Sequence, residues 1–469
     1  MSSGTGTQAT DTRSSLRRRP LLLVFALVFG ISSTVLLATM PWSNVRRPNV
    51  VLIVTDDQRW DTLEAMPAVR RLLVNGGVTF ENAFTTTPSC CPSRVGLLTG
   101  EYSHHTGVLD GSAGNAPGGA PAFKDDSSIA TWLHDVGYRT GLFGKYLNDY
   151  AELPRGYIPP GWDQWFAIAQ AHPQIRYYNY ELNENGEIVP YRDSPADYST
   201  TVLGERAASF IHGDQPFFLY FAPIAPHPPS LPAPQDAGAH LHLTWKVPPS
   251  FAENDVSDKP GGGAGSLDLR KAREVRQDML RSLLAVDRAI QTIADTIEHA
   301  GLSNDTYFLF TSDNGYLWGE HRLLGKVWPY EESIRVPLVI RPPGQLPTRS
   351  VDALALNIDI APTIAELAGV DPPLPQDGKS LVPLLDRSLG AWRDRFVVEF
   401  LGYAPGVPSY SGIRTHRYLY VEYGTDQREL YDLRADPFEL RNLLAEGSGR
   451  PPNGVVDQLR KAMEQIIEE

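Results

Sequence analysis

The sequence predicts an α/β fold, a mostly parallel sheet flanked by helices, and three observations carry that prediction. Short continuous apolar runs recur at Val50–Val54, Phe217–Phe221 and Tyr307–Phe310, the pattern of strands buried on both faces, and Tyr138–Phe143 reads as a further strand. Stretches of helical spacing lie between them, so strands and helices alternate as they do when parallel strands are joined by crossover helices. Each run also leads into polar residues: Thr55-Asp56-Asp57, Gly144-Lys145, Ala225-Pro226-His227 and Ser312-Asp313-Asn314. Ligands of open α/β sheets bind outside the carboxyl ends of the strands, so these four segments can converge in one crevice.

Composition narrows the class. At 469 residues and 42% apolar content the chain can build one large domain and a smaller one. Its net charge of −13 argues against a nucleic-acid partner, so an anionic substrate has to be drawn by a local positive pocket. Two cysteines provide no disulfide framework. Residues 1–46 read as a targeting segment. Arg17-Arg18-Arg19 precede the uncharged run Leu21–Met40, long enough to span a bilayer, and Ala38-Thr39-Met40-Pro41 is a poor cleavage site. This favours an uncleaved membrane anchor, with secretion as the alternative. The positive-inside rule puts the rest of the chain outside the cytoplasm.

From Arg47 the elements follow in order. After the first strand, Ser127 or Ser128 caps a helix that runs through Val136 and stops at Gly137, and the Tyr138–Phe143 strand ends at Gly144-Lys145. Gly/Pro/Ala-rich stretches at Gly111–Ala122 and Pro228–Gly265 are expected as loops at a substrate rim. A helix from about Leu267 to Ala300 carries Leu280, Leu283, Leu284, Ile290, Ile293 and Ile297 at helical spacing, a core-packing stripe. A helix over Ala361–Ala368 and the Pro-rich segment Asp371–Gln376 close the large domain, 47–375. A smaller α+β subdomain, 376–469, is expected to hold antiparallel strands at Phe396–Leu401 and Ile413–Tyr423 and a terminal helix from about Asn453 to Glu468.

The only two cysteines are adjacent, in Cys90-Cys91-Pro92-Ser93-Arg94, followed by Val95-Gly96-Leu97-Leu98-Thr99-Gly100. Neighbouring cysteines make a poor disulfide, so a reactive residue is the better reading. Pro92 suits the first position of a helix and Gly100 its end, which sets Cys90 just before a helix N-terminus that attracts anions. Asp56, Asp57, Asp313 and Asn314 are oxygen ligands suited to a hard divalent cation, and no His/Cys cluster with zinc spacing competes with them. An all-oxygen cage favours Ca2+, with Mg2+ as the alternative. Taken singly, these carboxylates also fit solvated turns.

The CxPSRxxLLTG pattern resembles the signature of the type I sulfatases, an alkaline-phosphatase-like family of sulfuric ester hydrolases. The resemblance extends over most of Arg47–Leu443, including Leu430-Tyr431-Asp432-Leu433 and Asp436-Pro437. It implies that a formylglycine-generating enzyme oxidises Cys90 to formylglycine, the catalytic aldehyde, with Cys91 at a variable position. It further implies that Asp56, Asp57, residue 90, Asp313 and Asn314 hold the cation, that Arg94 supports the aldehyde hydrate, and that Lys145, His227 and Lys326 contact the sulfate. One hydroxyl of the hydrate would then attack sulfur while His227 or His321 gives a proton to the departing alcohol, and collapse of the other hydroxyl would expel sulfate.

Within that family, Gly144-Lys145-Tyr146-Leu147-Asn148 and Ala225-Pro226-His227-Pro228-Pro229 resemble the N-acetylglucosamine-6-sulfatase and heparan sulfate sulfatase branch. Many members carry a histidine where this chain has Leu147, and Asn148 and His321 are candidates for its role. The implied substrate is a sulfated small molecule or glycan, with a sulfated aminosugar preferred. Tyr177, Tyr178 and Tyr180 are candidates for stacking on a sugar face, packing being their other role. Two further readings stay open: a phosphonate or phosphate ester hydrolase of the same superfamily, and an unmodified carbohydrate-binding protein.

Overall fold

The computed structural model describes residues 47–114, 116–169, 176–213, 215–241, 243–260, 267–344, 347–387, 390–448 and 451–469. The expected anchor at Leu21–Met40 lies outside them. Among the described residues no helix is long and apolar enough to cross a membrane.

A ten-stranded mixed sheet organises the chain. Its strands are β1 (Asn49–Thr55), β2 (Val78–Phe84), β3 (Arg139–Gly144), β4 (Gln164–Ile168), β5 (Glu181–Glu184), β6 (Glu187–Pro190), β7 (Phe217–Ala222) and β8 (Thr306–Ser312). After a two-stranded hairpin, β9 (Leu317–Trp318) and β10 (Leu324–Gly325), come β11 (Leu338–Arg341) and β12 (Arg349–Leu356). The order is β12-β2-β11-β8-β1-β7-β3-β4-β5-β6. The central strands β8, β1, β7, β3 and β4 are all parallel, while β11, β5 and β6 run against their neighbours.

The alternation of strand side chains explains why the central runs are uniformly apolar. In β1, Val51 and Ile53 enter one core with the Leu269–His299 helix, while Val50, Leu52 and Val54 enter another with the Cys90–Thr99 and Ile360–Ala368 helices. With both faces covered, every β1 residue is buried. The long helix starts at Asp268, whose carboxylate accepts from Arg270 N (2.9 Å) and Lys271 N (3.1 Å), and its predicted apolar stripe lies in the core apart from the half-buried Leu284.

A four-stranded antiparallel sheet, β13 (Arg395–Phe400), β14 (Tyr410–Thr415), β15 (Tyr418–Tyr423) and β16 (Arg428–Asp432), packs with the Val455–Glu468 helix around a third core. The expected strand Ile413–Tyr423 is a hairpin instead. Thr415 Oγ1 accepts from Arg417 N (3.2 Å) and Tyr418 N (2.8 Å) and so closes the turn between β14 and β15. Residues 47–469 form one compact unit.

The helix after the cysteines begins at Cys90, so Cys90 is its first residue rather than the one before it, and Pro92 is its third. The first turn tolerates proline because its N–H groups have no partner within the helix. Gly100 ends the helix as expected, with φ 83° and its N–H on Gly96 O (2.8 Å).

Candidate active site

Parallel register brings the strand ends to one edge. Thr55 pairs with Ser312, Gly144 with Ala222, and Asp56 bridges to Pro226. The residues that follow these strands therefore meet, as the alternation of strands and helices implied. Gly144 is required for the approach. At φ 134° it lies so close to β7 that a Cβ would sit 1.9 Å from Ala222 O.

Cys90 is at the floor, buried beneath a cavity of about 370 Å³. Its Sγ lies 3.6 Å from Asp56 Oδ1 and against Lys326 Nζ. Asp56 Oδ2 receives Lys145 Nζ at 2.6 Å, and Asp57 Oδ1 receives Lys326 Nζ together with Asn314 Nδ2 (2.6 Å). Asp313 is tied in from below: its Oδ1 accepts from Asp57 N (3.1 Å) and its Oδ2 from Arg94 Nε (2.8 Å). Arg94 also donates to Lys145 O (3.0 Å), so one fully buried guanidinium joins the Cys90 helix, β3 and β8. His227 Nδ1 donates to Pro228 O (2.7 Å), leaving Nε2 facing Asp57 Oδ2 at 3.5 Å.

The electrostatics are those of a buried anion set answered by cations. Burial pushes the Asp56 carboxyl up, but Lys145, His227, Arg94 and Lys326 outweigh it and hold the group well below the usual carboxylate range. Burial pushes the Cys90 thiol up to about 12 against the pull of Lys145 and Lys326. A neutral thiol is a poor nucleophile, so the unmodified side chain lacks the reactivity this position calls for.

Donor chemistry at this point fits a divalent cation. Asp56, Asp57, Cys90 and His227 each place a ligand atom within 4.8 Å of the others. Asp57 Oδ2 and Asn314 Oδ1 are buried acceptors without a hydrogen-bond partner, as is the donor Arg94 Nη2. Bare buried oxygens at the ends of β1 and β8 are the ligands a hard cation takes. His227 lies within this group, whereas the sulfatase resemblance implied for it a sulfate contact or the role of proton donor.

Every residue expected at the site is brought there: Asp56, Asp57, Cys90, Arg94, Lys145, His227, Asp313, Asn314 and Lys326. Asn148 also lines the cavity. His321 does not. It is fully buried with Nδ1 on Glu253 Oε2 (2.8 Å), which removes it as a stand-in for the histidine absent at Leu147 and as a proton donor. Tyr177 and Tyr180 are buried in the core, so they offer no face to a sugar, and Tyr178 packs half-buried beside Tyr198. Tyr177 instead donates its hydroxyl to His227 O (2.7 Å) and supports the histidine from beneath. Of the two expected rim loops, residues 110–114 line the cavity, whereas none of the described residues of 228–265 does.

Three features escaped the sequence. Phe400 at the end of β13 and Tyr403, Ala404 and Pro405 just beyond it reach the cavity, and Tyr403 is 58% exposed there. Ser93 donates to Asp313 O, and Asn357 Nδ2 donates to Ser93 O (3.1 Å), which fixes the first turn of the Cys90 helix.

A sulfatase family profile matches residues 48–370 and thus spans all of the residues just described except the segment at 400–405. The chain belongs to the sulfatase family. A second profile, described as the C-terminal region of N-sulphoglucosamine sulphohydrolase, matches residues 319–469. This sulfatase-family chain is 35% identical over 376 residues to an extracellular sulfatase SULF-1 homolog of Drosophila melanogaster, covering 76% of the chain and 33% of that relative. It is 31% identical to the N-acetylglucosamine-6-sulfatase of Homo sapiens, covering 90% of the chain and 85% of the relative. The alignments span about a third and about half of the lengths of the Drosophila relative and of a Caenorhabditis elegans Sulf-1 homolog.

Among solved structures, one in complex with its substrate D-glucosamine-2-N,6-O-disulfate superposes with a TM-score of 0.72 at 24% identity, covering 90% of the chain and 97% of its counterpart. A phosphonate monoester hydrolase of Agrobacterium radiobacter superposes with a TM-score of 0.69 at 23% identity, covering 90% and 95%. These likenesses establish the alkaline-phosphatase-like fold, which is shared by hydrolases of different esters.

Proposed function

We propose that this protein hydrolyses sulfate monoesters, with a 6-O-sulfated glucosamine as its substrate. The observation that carries the reading is the position of Cys90, buried at the cavity floor between Asp56 and Lys326, with Lys145 on Asp56 and the His227 Nε2 face beside it. We further propose that a formylglycine-generating enzyme converts Cys90, that Asp56, Asp57, residue 90, Asp313 and Asn314 hold Ca2+ in preference to Mg2+, and that the protein acts outside the cytoplasm. The relatives named for extracellular sulfatases and for N-acetylglucosamine-6-sulfatase support location and substrate class. The membrane anchor rests on the Leu21–Met40 run alone, and the division at residue 375 on the Pro-rich segment before it.

Formylglycine and the cation together supply a hydrated aldehyde whose oxygen is nucleophilic at neutral pH. The remaining work falls to the chain's own side chains. Lys145 and Lys326, held on Asp56 and Asp57, bind the sulfuryl oxygens and stabilise charge that grows on them. His227 donates a proton from Nε2 to the departing alcohol oxygen, while Pro228 O holds Nδ1–H and Tyr177 fixes the backbone. Arg94 orients Asp313 and opposes the upward push that burial and Asp56 give its carboxyl. Residues 110–114 and 400–405 form the walls that receive the alcohol half of the substrate.

The test is a comparison of kcat/KM on N-acetylglucosamine 6-sulfate, nitrophenyl sulfate and an aryl phosphonate, with the fraction of Cys90 converted measured by mass spectrometry as a loss of about 18 Da. The reading expects the sugar sulfate to be preferred, because a sugar can use remote contacts to stabilise the transition state. Preference for the phosphonate would reassign the ester class. Unconverted Cys90 with sugar binding but no turnover would make the protein a carbohydrate binder.

A further inference from the structure

Away from the cavity, a second set of ligand-type side chains meets in the interior. His321 lies in the turn between β9 and β10, Glu332 in the short Glu331–Ile334 helix, and Glu439 in the C-terminal segment after β16. Each places a ligand atom within 4.8 Å of the other two, and each is more than nine-tenths buried. His321 Nε2, Glu332 Oε2 and Glu439 Oε1 are all without a hydrogen-bond partner. Three buried polar atoms gathered in one spot each carry a desolvation penalty of about 1–3 kcal/mol unless something binds them.

The surroundings orient these atoms and leave them open. His321 Nδ1 donates to Glu253 Oε2 (2.8 Å), which fixes the tautomer with a lone pair on Nε2, the carboxylate–histidine arrangement that supports metal-bound imidazole. Lys259 holds the other oxygen of Glu253 at 3.3 Å. Glu439 Oε2 accepts from Glu331 N (3.1 Å), which leaves Oε1 for a ligand. The nearby cations are committed elsewhere: Arg59 to Glu320 and Asp61, Arg414 to Glu331, and Lys259 to Glu253 and Asp258. Among the described residues neither Glu332 nor Glu439 forms a salt bridge; Arg59 and Arg414 act on them only from beyond contact distance, and burial and the neighbouring glutamates push both carboxyls up, so the two face one imidazole with no cation in contact.

We propose that His321, Glu332 and Glu439 form a second, structural metal site for Zn2+, separate from the catalytic cavity. One imidazole nitrogen with two carboxylate oxygens is a zinc donor set, whereas Ca2+ prefers oxygen alone. The ion would supply the missing positive charge and tie three segments together: the hairpin that presents Lys326, the Glu331–Ile334 helix that follows it, and the C-terminal segment. No bond is made or broken beyond coordination.

The experiment uses the full chain with Cys90 converted, stripped with a chelator, reloaded with saturating Ca2+ alone, and then titrated with Zn2+ as the probe. Metal content is read by mass spectrometry, thermal midpoint by calorimetry, and position by anomalous scattering at the zinc edge. The expected result is one zinc per chain beside the calcium, a midpoint raised by about 5 °C or more, and an anomalous peak between the three residues. His321→Gln, Glu332→Gln and Glu439→Gln should each lose the zinc and keep the calcium, with folding checked by circular dichroism. The proposal is overturned if the wild-type chain takes up no zinc under these conditions, or if zinc is retained equally by all three variants. It is also overturned if Glu332→Gln raises the midpoint of zinc-free protein and wild type stays metal-free, because the carboxylates would then share a proton instead.

Discussion

Replacing Arg94 by alanine should unfold the floor of the site before it changes any contact to substrate. Arg94 is fully buried and is the sole cation in salt-bridge contact with Asp313 among the described residues. Its removal deletes a charge-assisted hydrogen bond of 2.8 Å and a second bond of 3.0 Å to Lys145 O, and it leaves the Asp313 carboxylate buried beside Asp56. Breaking a buried pair from one side costs about 3–5 kcal/mol, most of it the desolvation of the charge left behind. At roughly 2 °C per kcal/mol for a chain of this size, the thermal midpoint falls by about 6–10 °C.

Calorimetry at one scan rate, on chelated protein at pH 7, measures this without a contribution from cation release. A double-mutant cycle then isolates the cause. In an Asp313→Asn background the same Arg94→Ala change should cost clearly less, because no charge is orphaned. Arg94→Lys should recover part of the loss, since lysine keeps the charge but cannot serve Asp313 Oδ2 and Lys145 O with one planar group. A drop of under 1 °C for Arg94→Ala, or strict additivity with Asp313→Asn, would refute the assignment of Arg94 as the partner that favours the charged form of Asp313 against burial and Asp56.

Four other outcomes are expected. Cys90→Ala should abolish turnover with the fold intact, whereas Cys91→Ala keeps most activity, and equal loss in both would contradict the choice of nucleophile precursor. With the Cys90 thiol held at about 12, only about one part in 10⁴ is thiolate at pH 8, so iodoacetamide should label unconverted, metal-free folded protein at least about 10³-fold more slowly than denatured protein. Asp56→Ala or a strong chelator should lower kcat by orders of magnitude, and full activity after verified metal removal would remove the cation from the mechanism. Tyr403→Ala should raise KM for a sugar sulfate several-fold while leaving nitrophenyl sulfate little changed, because Tyr403 lies on the open wall of the cavity; equal effects on both substrates would place it outside the sugar contacts.

The contrast between Lys326 and His321 shows what a sequence can and cannot reveal about this site. Asp56, Lys145 and Asp313 were legible because each directly follows a buried strand, and a strand's direction is fixed by its own apolar run. Lys326 was legible through the likeness of Gly325-Lys326 to the sulfatase pattern, and the β9–β10 hairpin that precedes it was not. His321 is five positions earlier in the chain and carries the same kind of chemistry, yet it faces the opposite way, because its backbone adopts φ 52° and its N–H bonds to Ser250 O (2.8 Å). Such a turn inverts the side chain's direction, and nothing in the local composition marks it.

Tertiary distance hid the rest. Tyr403 comes to the cavity from the connection between β13 and β14, in a sheet that carries no reactive pattern, and the His321, Glu332 and Glu439 set has none of the short ligand spacing by which zinc sites are read. Local signals were not always lacking where an element was missed. Glu184-Asn185-Gly186-Glu187 carries the Asn-Gly turn that joins β5 to β6, with φ 54° and 99° at its centre, and that dipeptide alone argues for a hairpin. What cannot be read locally is which strand edge receives it: β5 pairs with β4 through Phe166–Glu184 and Ile168–Leu182, a choice made by the packing of Leu182 into the core beneath Phe143 and the Leu269–His299 helix. Asp56, Asp57, Lys145, Asp313 and Asn314 escape this difficulty because they follow strands buried on both faces, where burial on its own forces register.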